Sequence, residues 1–389
     1  MTTLTAPNVA GAIESVESHL HPTPSWELTD HPAPSGREEI WRFTPIRRIA
    51  SLLEDTPTQA QLEWDTHLPE GVSLTSIDTQ EARRLAVEAP VDRISALAHR
   101  LSNGATLLDV AAEAAPDEPA VVTVSGTGQS VHHHLVIRIG RFASASVVVR
   151  HQGSATFAEK TDVIVEEGAS VNLVFVQDWA DDAVHGGQRS ILVGRDASVK
   201  VVSASLGGNV VRLQENAKYA GPGGRFEAFG LYFVDAGQHV QHRLFVDHNA
   251  PHTASNVDYR GALQGEKAHS VWIGDVLIRK VAEGIETYEA NKNLVLTDGC
   301  QADSVPNLEI ETGEIQGAGH SSTTGRFDDL QLFYLRSRGV SEKEAKRLVV
   351  HGFFNDIIRR IGVPAVEARL LEALEAELAV LTDELGEPA

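Results

Sequence analysis

Cysteine is almost absent from this chain, because Cys300 is the only one among 389 residues. A single thiol excludes an intrachain disulfide, and it excludes a metal or cluster cage built from several cysteines of this chain alone. Chemistry that needs more than one thiolate must therefore take ligands from a second chain.

Long apolar runs and basic clusters are missing as well. No stretch reaches the roughly 18 uninterrupted apolar residues of a membrane-spanning helix, and residues 1–10 have neither the basic nor the apolar segment of a secretion signal. The formal net charge of −21 repels a phosphate backbone. Apolar residues still make up 42% of the chain, enough for a substantial core. We therefore expect a globular, cytoplasmic protein that binds neither membranes nor nucleic acid.

The common catalytic motifs are also missing. Residues 221–224 read Gly-Pro-Gly-Gly, but no lysine follows, so the chain has no Walker-type phosphate-binding loop. Neither the nucleophile elbow G-x-S-x-G nor the zinc motif H-E-x-x-H occurs. We therefore expect that the chain is not an enzyme and does not hydrolyse ATP.

Residues 1–115 carry helical signals. The capping-box pattern Ser-Gly-Arg-Glu at 35–38 predicts a helix over 38–43. Apolar residues at helical spacing predict further helices over 46–53 and 91–101. The sequence thus predicts an N-terminal helical domain.

Residues 116–325 consist of short Val/Ile-rich stretches separated by Gly, Asp and Asn, which is typical of strands. The triplet Ala-Ser-Val recurs at 145–147, 169–171 and 197–199, a spacing of 24 to 28 residues. A fixed period of this length without intervening helices favours a parallel β-helix of about eight or nine coils, on the order of 40 Å long. A β-sandwich is the alternative, but the short hairpin turns that it needs are scarce.

Helical spacing returns in residues 326–389, which the sequence predicts to form a C-terminal helical domain. A second capping-box pattern, beginning at Ser341, predicts a helix that ends before Pro364. A final helix from Val366 carries an apolar stripe opposite a row of glutamates. The stripe consists of Leu370, Leu371, Leu374, Leu378, Leu381 and Leu385. It packs either on its own domain or on a partner chain.

Several histidines are candidate ligands, and each has a simpler structural explanation. His132 and His134 would share one face of a strand at a spacing compatible with a metal, but solvated strand histidines are the favoured explanation. His239 and His242 would point to opposite faces of a strand, which disfavours a shared metal. For the polar residues within 247–259, turns that Asp and His hydrogen bonds hold together are as good an explanation as a catalytic role.

Cys300 and His320 are the preferred candidates for a functional pair. A thiolate and an imidazole both suit iron, and histidine in place of cysteine raises the potential of a cluster. Their separation of about 20 residues is slightly less than one repeat, so we expect them on neighbouring coils near the same edge. The alternative is a buried, inert cysteine and a surface histidine.

Six segments between residues 247 and 339 follow one another in an order that resembles the SufB/SufD family. They are Asp-His-Asn-Ala-Pro-His-Thr (247–253), Tyr-Arg-Gly (259–261), Glu-Ala-Asn-Lys-Asn-Leu-Val-Leu (289–296), Ala-Asp-Ser-Val-Pro-Asn-Leu-Glu-Ile (302–310), Gly-His-Ser-Ser-Thr-Thr-Gly (319–325) and Leu-Phe-Tyr-Leu-Arg-Ser-Arg-Gly (332–339). The ordered set is specific, although each piece alone is weak. Residues 38–45 resemble a short segment of SufD-type members, so the likeness reaches both ends of the chain and is looser over 50–240.

The resemblance implies a right-handed parallel β-helix between two helical domains. It also implies a non-catalytic scaffold subunit of the SUF system for iron–sulfur cluster assembly, in a complex with a SufB-type scaffold chain and SufC-type ATPase chains. The scaffold chains would pair through the β-helix, and the C-terminal helices would dock on the ATPase. The residues expected at partner interfaces are Phe333, Tyr334, Arg336, Arg338, Phe353, Leu374 and Leu378.

The cofactors that the resemblance implies belong to the complex. The chain alone, for which the sequence leaves monomer and homodimer both open, is expected to hold no cofactor stably. A transient iron–sulfur cluster is implied in the complex, and reduced FAD is the further expectation.

His320 occupies the position of the histidine that the resemblance links to the nascent cluster in SufD-type members. Cys300 departs from that pattern, because it stands where SufB-type members carry their cysteine. We interpret the chain as SufD-type, since it is short and has the segment around Trp41, with His320 and Cys300 as ligands of iron or a nascent cluster at an interface. The alternatives are a SufB-like paralogue, a purely structural subunit, and a β-helix enzyme acting on polysaccharide.

Overall fold

A repeating pair of strands dominates the computed structural model, which describes residues 22–327 and 329–384. Parallel strands stack coil upon coil into a β-solenoid of about eight turns. The predicted β-helix is therefore confirmed in preference to a β-sandwich. The strands are β1 (Glu63–His67), β2 (Val72–Ile77), β3 (Ala105–Val110), β4 (Ala120–Ile139), β5 (Ser144–Val165), β6 (Ser170–Trp179), β7 (Val184–Val193), β8 (Ser198–Leu206), β9 (Val210–Tyr219), β10 (Arg225–Val234), β11 (His239–His248), β12 (Ala254–Leu263), β13 (His269–Ile278), β14 (Glu286–Val295), β15 (Gln301–Ile310) and β16 (Gly317–Arg326).

The solenoid has two faces. The front sheet comprises the first half of β5 followed by β6, β8, β10, β12, β14 and β16, and the back sheet comprises the second half of β5 followed by β7, β9, β11, β13 and β15. Each strand pairs in parallel with the equivalent strand one coil away. Equivalent side chains of successive coils therefore stack in columns along the solenoid.

Alternate residues of each strand point inward and form the main core between the sheets. In β6, Val171, Leu173 and Phe175 lie in this core, whereas Val174 and Val176 face outward into a second buried cluster. Strands that are buried on both faces read as nearly continuous apolar runs, which explains the Val/Ile-rich texture of the sequence.

The sequence repeat marks the start of the front-sheet strands. The Ala-Ser-Val triplets at 145–147, 169–171 and 197–199 coincide with the beginnings of β5, β6 and β8. Strands β6, β8, β10, β12, β14 and β16 begin at 170, 198, 225, 254, 286 and 317, so the later coils are up to 32 residues long. The extra residues lie in the turns, and this lengthening hides the repeat after the third triplet.

The N-terminal end of the solenoid is closed by further strands. Strand β1 pairs antiparallel with the first half of β4, and β3 pairs parallel with its second half. Strand β2 in turn pairs antiparallel with β3. Short antiparallel strands therefore cover the first coil, and we call this the closed end, although β1 and β2 each keep one edge of five or six residues that is unpaired within the described residues.

The predicted N-terminal helical domain is wrong in most of its elements. The described helices of this region are α1 (Thr79–Leu85) and α2 (Arg93–Leu101), and three single turns of 3₁₀ helix occur at Leu28–Asp30, Glu39–Trp41 and Ala50–Leu53. Residues 1–21 lie outside the described residues. The prediction over 91–101 is confirmed, since α2 begins with a capping box formed by Asp92 and Ser95.

The pattern at residues 35–38 closes a turn instead of starting a helix. The carboxylate of Glu38 accepts hydrogen bonds from the backbone N–H of Ser35 at 3.0 Å and from its hydroxyl at 2.8 Å. These contacts satisfy the polar groups locally, so they compete with helix formation. Pro45 then stops the chain from continuing as a helix.

Three helices follow the solenoid. They are α3 (Asp329–Ser337), α4 (Glu342–Arg360) and α5 (Pro364–Glu384). The hydroxyl of Ser341 accepts a hydrogen bond from the backbone N–H of Glu344, which confirms the predicted start of α4. No described helix is long and apolar enough to cross a membrane.

The apolar stripe of α5 packs on the chain's own solenoid. Leu370, Leu374 and Leu378 are at most 5% exposed and lie in one cluster with Phe354 of α4 and with outward-facing residues of the front sheet such as Phe229. Leu374 and Leu378 are therefore not available at a partner surface, and this corrects their expected place there. Burial of each of the three leucines contributes roughly 1.5–3 kcal/mol. This energy favours packing of α5 on the chain's own solenoid. Leu385 lies outside the described residues.

Candidate functional site

The C-terminal end of the solenoid differs from the closed N-terminal end. In the path of paired strands, β15 terminates the back sheet and β16 terminates the front sheet. Each pairs with a neighbour on one side only. Within the described residues, the other edge of each strand is left with unpaired N–H and C=O groups, which is a template for a further strand.

His320 is the fourth residue of β16 and is exposed. Its partner in the register is Glu289 of β14. Ala318, two residues earlier on the same face, packs against the core between the sheets, so His320 points toward the interior of the solenoid. The imidazole is exposed because β16 is the last strand of the front sheet, and within 22–327 and 329–384 no further coil covers it.

Glu289 lies one coil beneath His320 and is 1% exposed. A Cβ atom on Gly274 of the opposite sheet would lie 2.5 Å from Oε2 of Glu289, so the carboxyl group spans the interior. Its Oε1 atom accepts no hydrogen bond from the residues that the structure describes. Burial, together with the neighbouring Asp275, raises the pKa of Glu289 to about 8.

Cys300 lies in the turn between β14 and β15, directly before Gln301. Its thiol donates a hydrogen bond to the carbonyl oxygen of Gly265 at 3.4 Å and lies 3.6 Å from the hydroxyl of Thr297. Burial raises the pKa of the thiol, and Glu266 acts in the same direction. Cys300 is therefore held as a neutral thiol, which is a poor metal ligand until a cation approaches.

Cys300 and His320 lie on successive coils but not near the same edge, so that expectation is wrong. Cys300 is in the turn that follows the C-terminal ends of the front-sheet strands, whereas His320 is six residues before the end of β16 at Arg326. Six residues of extended chain correspond to about 20 Å. The two side chains of one molecule are thus too far apart to bind one iron atom.

Three of the other candidate histidines, His134, His239 and His242, contact side-chain partners, whereas Nδ1 of the buried His132 has none among the described residues. His134 faces outward, and its Nε2 lies 2.8 Å from Asp162, which also binds Lys160 at 2.5 Å. His242 faces inward and its Nε2 contacts the hydroxyl of Ser205 at 3.1 Å. No group of three or more His, Cys, Asp or Glu side chains is placed to hold a metal ion in the described ranges 22–327 and 329–384.

The polar side chains of the segment 247–259 form hydrogen bonds and ion pairs at the turns of the solenoid. His248 is buried, and its two ring nitrogens lie 2.8 Å from the hydroxyl of Thr253 and 2.9 Å from that of Ser255. Arg279 binds the carboxylate of Asp247 from the next coil at 2.7 and 2.9 Å. These contacts hold the turns of neighbouring coils together.

Helix α3 presents an apolar surface. Phe333 is 71% exposed and Tyr334 is 58% exposed. The guanidinium of Arg338 lies over the ring of Tyr334, and Arg336 contacts Glu342 at 3.4 Å. Phe353 of α4 is partly buried against Phe354 instead. The expected interface residues that are exposed, Phe333, Tyr334, Arg336 and Arg338, thus lie on α3 and in the turn directly after it.

Glu289 was missed by the sequence analysis, although it lies within a segment that resembles the family. A period-2 reading of β14 would have found it, because Thr287, Glu289, Asn291 and Asn293 alternate with Tyr288, Ala290 and Lys292. An inward carboxylate is unusual in a column of otherwise neutral residues, and buried acids are rare without a partner. The alternation is visible in the sequence, but the outward Lys292 makes the whole strand look polar, so that Glu289 does not stand out as an inward residue.

The fold and this end of the molecule define a class: a β-solenoid with one closed end, one open end and a histidine and a carboxylate at the open end. The model of the SufBD core domain, described as SUF system FeS cluster assembly, matches residues 122–353. This chain therefore belongs to the SufBD family of iron–sulfur cluster assembly proteins.

Relatives support this assignment over the whole chain. A protein of Mycobacterium tuberculosis strain H37Rv named as an iron–sulfur cluster assembly SufBD family protein is 45% identical over 388 residues, covering 97% of this chain and 98% of that protein. A protein of Mycobacterium leprae with the same family name is 46% identical, covering 92% of this chain and 93% of that protein. A protein of Staphylococcus saprophyticus is 25% identical over 225 residues, covering 58% and 48%.

Proposed function

We propose that this chain is a SufD-type, non-catalytic scaffold subunit that pairs with a SufB-type chain through the open end of its solenoid. The observation that supports this most is the difference between the two ends. The first coil is covered by β1 and β3, and the unpaired edges that remain there, on β1 and β2, are only five and six residues long. At the other end, β15 and β16 each present a free edge of ten residues. Free parallel edges favour addition of a strand from another chain, and a homodimer is the arrangement for the chain alone.

His320 is the ligand or iron-entry residue in this proposal. It lies on the last strand, where a second chain paired with β16 would bring its own side chains within reach. A nascent iron–sulfur cluster needs thiolates, and Cys300 of the same molecule is too distant to supply one to His320. The partner chain therefore provides the thiolate that accompanies His320.

Cys300 enters the proposal as an auxiliary thiolate. Its raised pKa keeps it protonated in the chain alone. A metal ion bound across the interface would lower that pKa, because coordination favours the thiolate form. Reduced FAD stays an expectation for the assembled complex, and no residue of this chain is assigned to it.

Helix α3 is the proposed docking surface for a SufC-type ATPase. Phe333 and Tyr334 are exposed aromatic residues flanked by Arg336 and Arg338. Aromatic and arginine side chains are enriched at the energetic centres of protein interfaces. ATP-driven movement of the ATPase would then be transmitted through α4, which packs on the front sheet.

Co-expression with the SufB-type and SufC-type chains of the same organism tests this function. We expect one complex to co-purify and to assemble a cluster in anaerobic reconstitution. Phe333→Asp should release the ATPase but keep the scaffold partner, whereas Val281→Asp, at a hydrophobic residue that is 62% exposed elsewhere, should change neither. Failure of the native chain to co-purify with either partner would overturn the assignment.

The ligand role of His320 is tested in the same complex. His320→Ala should keep the subunits together and lower the cluster yield, because only a side chain at the edge is removed. His67→Ala is the matched control, since His67 is an exposed strand histidine at the opposite, closed end of the solenoid. A normal yield from His320→Ala contradicts the ligand role and leaves a purely structural subunit.

A further inference from the structure

Glu289 and His320 are brought together by the register of β14 and β16. The two residues are direct partners in neighbouring parallel strands, whose backbones lie about 4.8 Å apart. Register partners in a parallel sheet project to the same side, so the carboxylate and the imidazole both point into the solenoid. Glu289 forms the floor of the open end, and His320 lies at its rim.

The space that Glu289 occupies depends on a glycine in the facing sheet. A Cβ atom at Gly274 would meet Oε2 of Glu289 at 2.5 Å and the ring of Trp272 at 2.4 Å. Any side chain at this position would displace the carboxyl group or the indole. The absence of a side chain at residue 274 therefore leaves room for the carboxyl group in an interior that is otherwise closely packed.

The carboxyl group in this space is incompletely satisfied. Glu289 is 1% exposed, and its Oε1 accepts no hydrogen bond from any described residue. The neighbouring charged group is Asp275, which has the same sign. A buried carboxylate without a cation is costly, and the open end of the solenoid is the direction from which a cation reaches it.

We propose that Glu289 and His320 form half of a binding site for a divalent transition metal of the ferrous-iron class. A carboxylate oxygen and an imidazole nitrogen are the donor types of mononuclear non-haem iron sites. The remaining donors come from solvent or from the chain that pairs with β16, since the described residues offer no third His, Cys, Asp or Glu in position. This deepens the proposed function and rests on it, because it names a second ligand beside His320.

A different role for Glu289 is a neutral acid that only fills the core. That role gives Glu289 no effect on metal binding, whereas the proposed role makes it as important as His320. The two therefore differ in one measurable property of the full-length chain, its affinity for a divalent metal in the absence of partners.

The test is a titration of the full-length protein with Co²⁺, a spectroscopic substitute for ferrous iron, followed by its visible absorption. We expect saturation by a single ion per chain and an affinity that falls by about tenfold or more in Glu289→Gln and in His320→Ala. Glu286→Gln is the matched control, since Glu286 is an exposed carboxylate on the outer side of the same strand, and it should bind as the native chain does.

Native affinity in Glu289→Gln overturns the inference, whatever His320→Ala does. If His320→Ala alone loses the metal, the ligand role in the proposed function survives and the role of Glu289 does not. Gly274→Ala provides a second route should Glu289→Gln fail to fold, because its Cβ atom displaces the carboxyl group while leaving it in the chain. Native metal affinity in a folded Gly274→Ala variant likewise contradicts the inference.

Discussion

Cys300 has the surroundings of a structural thiol. Its sulfur donates to a backbone carbonyl and is near the carboxylate of Glu266, and burial raises its pKa. Because alkylating reagents attack the thiolate, we expect iodoacetamide to react with the folded chain more slowly at neutral pH than with free cysteine. The rate should rise only above the pKa of free cysteine, as measured by mass spectrometry over a pH series. Rapid alkylation at pH 7 would contradict this description.

Two glycines provide a matched test of interior packing. A Cβ atom at Gly261 would lie 1.8 Å from the ring of Tyr232, whereas nothing lies within 4 Å of one at Gly352 of α4. Gly261→Ala should therefore destabilise the chain by about 1–3 kcal/mol. Gly352→Ala should stabilise it by about 0.5–1 kcal/mol, since alanine favours a helix. Urea unfolding measures both, and equal stability of the two variants would refute the packing argument.

At the scale of elements, α2 is fixed to the back sheet through its first residue. Asp92 caps α2 and also binds Arg212 of β9 at 2.6 Å, with both side chains buried. Asp92→Ala should cost about 3–5 kcal/mol, because it leaves the Arg212 guanidinium buried without its counter-ion. Asp78→Ala, at the exposed cap of α1, should cost about 1 kcal/mol. The difference between the two in denaturant unfolding checks the contribution of the ion pair.

The elements that the sequence predicts well are those with strong local signals. Ser341 caps α4 as its capping-box pattern requires, apolar residues at helical spacing predict α2, and the Ala-Ser-Val triplets begin the front-sheet strands. The helix predicted over 46–53 is wrong. Its apolar side chains, such as Ile49 and Leu52, are buried against the back sheet at a single 3₁₀ turn. Tertiary packing decides their conformation, and no local pattern records it.

The candidate site was predictable only in part. The resemblance identified His320, and the repeat placed it on a coil next to that of Cys300. The lengths of the turns cannot be derived from one sequence. The predicted positions of Cys300 and His320 along their coils were therefore wrong, because Cys300 lies in a turn and His320 lies within a strand. The alternation of β14 places Glu289 inward, but its pairing with His320 becomes visible only when the register of β14 and β16 is known.

At the scale of the whole molecule, the interior contains histidines that are held neutral. Burial lowers the pKa of His185 to about 4, of His242 to about 3 and of His248 to about 4. The unfolded chain binds protons at these residues below about pH 6.5 and the folded chain does not, so stability falls as the pH drops from about 6.5 toward 4. Each histidine contributes up to about 1.4 kcal/mol per pH unit in that range.

Denaturant midpoints between pH 8 and pH 4.5 measure this dependence. We expect a progressive loss of the free energy of unfolding below pH 6.5. A smaller loss is expected as the pH rises from 7 to 8, because folded Glu289 holds a proton that the unfolded chain has released. His242→Asn should reduce the slope, because it removes one of the titrating groups. A free energy of unfolding that is independent of pH between 7 and 5 would show that these histidines are not buried as neutral bases.

The central claim is that the open end of the solenoid, formed by β15 and β16, pairs with a second scaffold chain. Hydrogen–deuterium exchange of this chain, alone and with the SufB-type partner, tests it most directly. Backbone amides of residues 301–310 and 317–326 should become protected on mixing, because the free edges gain hydrogen bonds, while those of β1 at the closed end should not change. Protection at β1 without protection at β15 and β16 would contradict the claim.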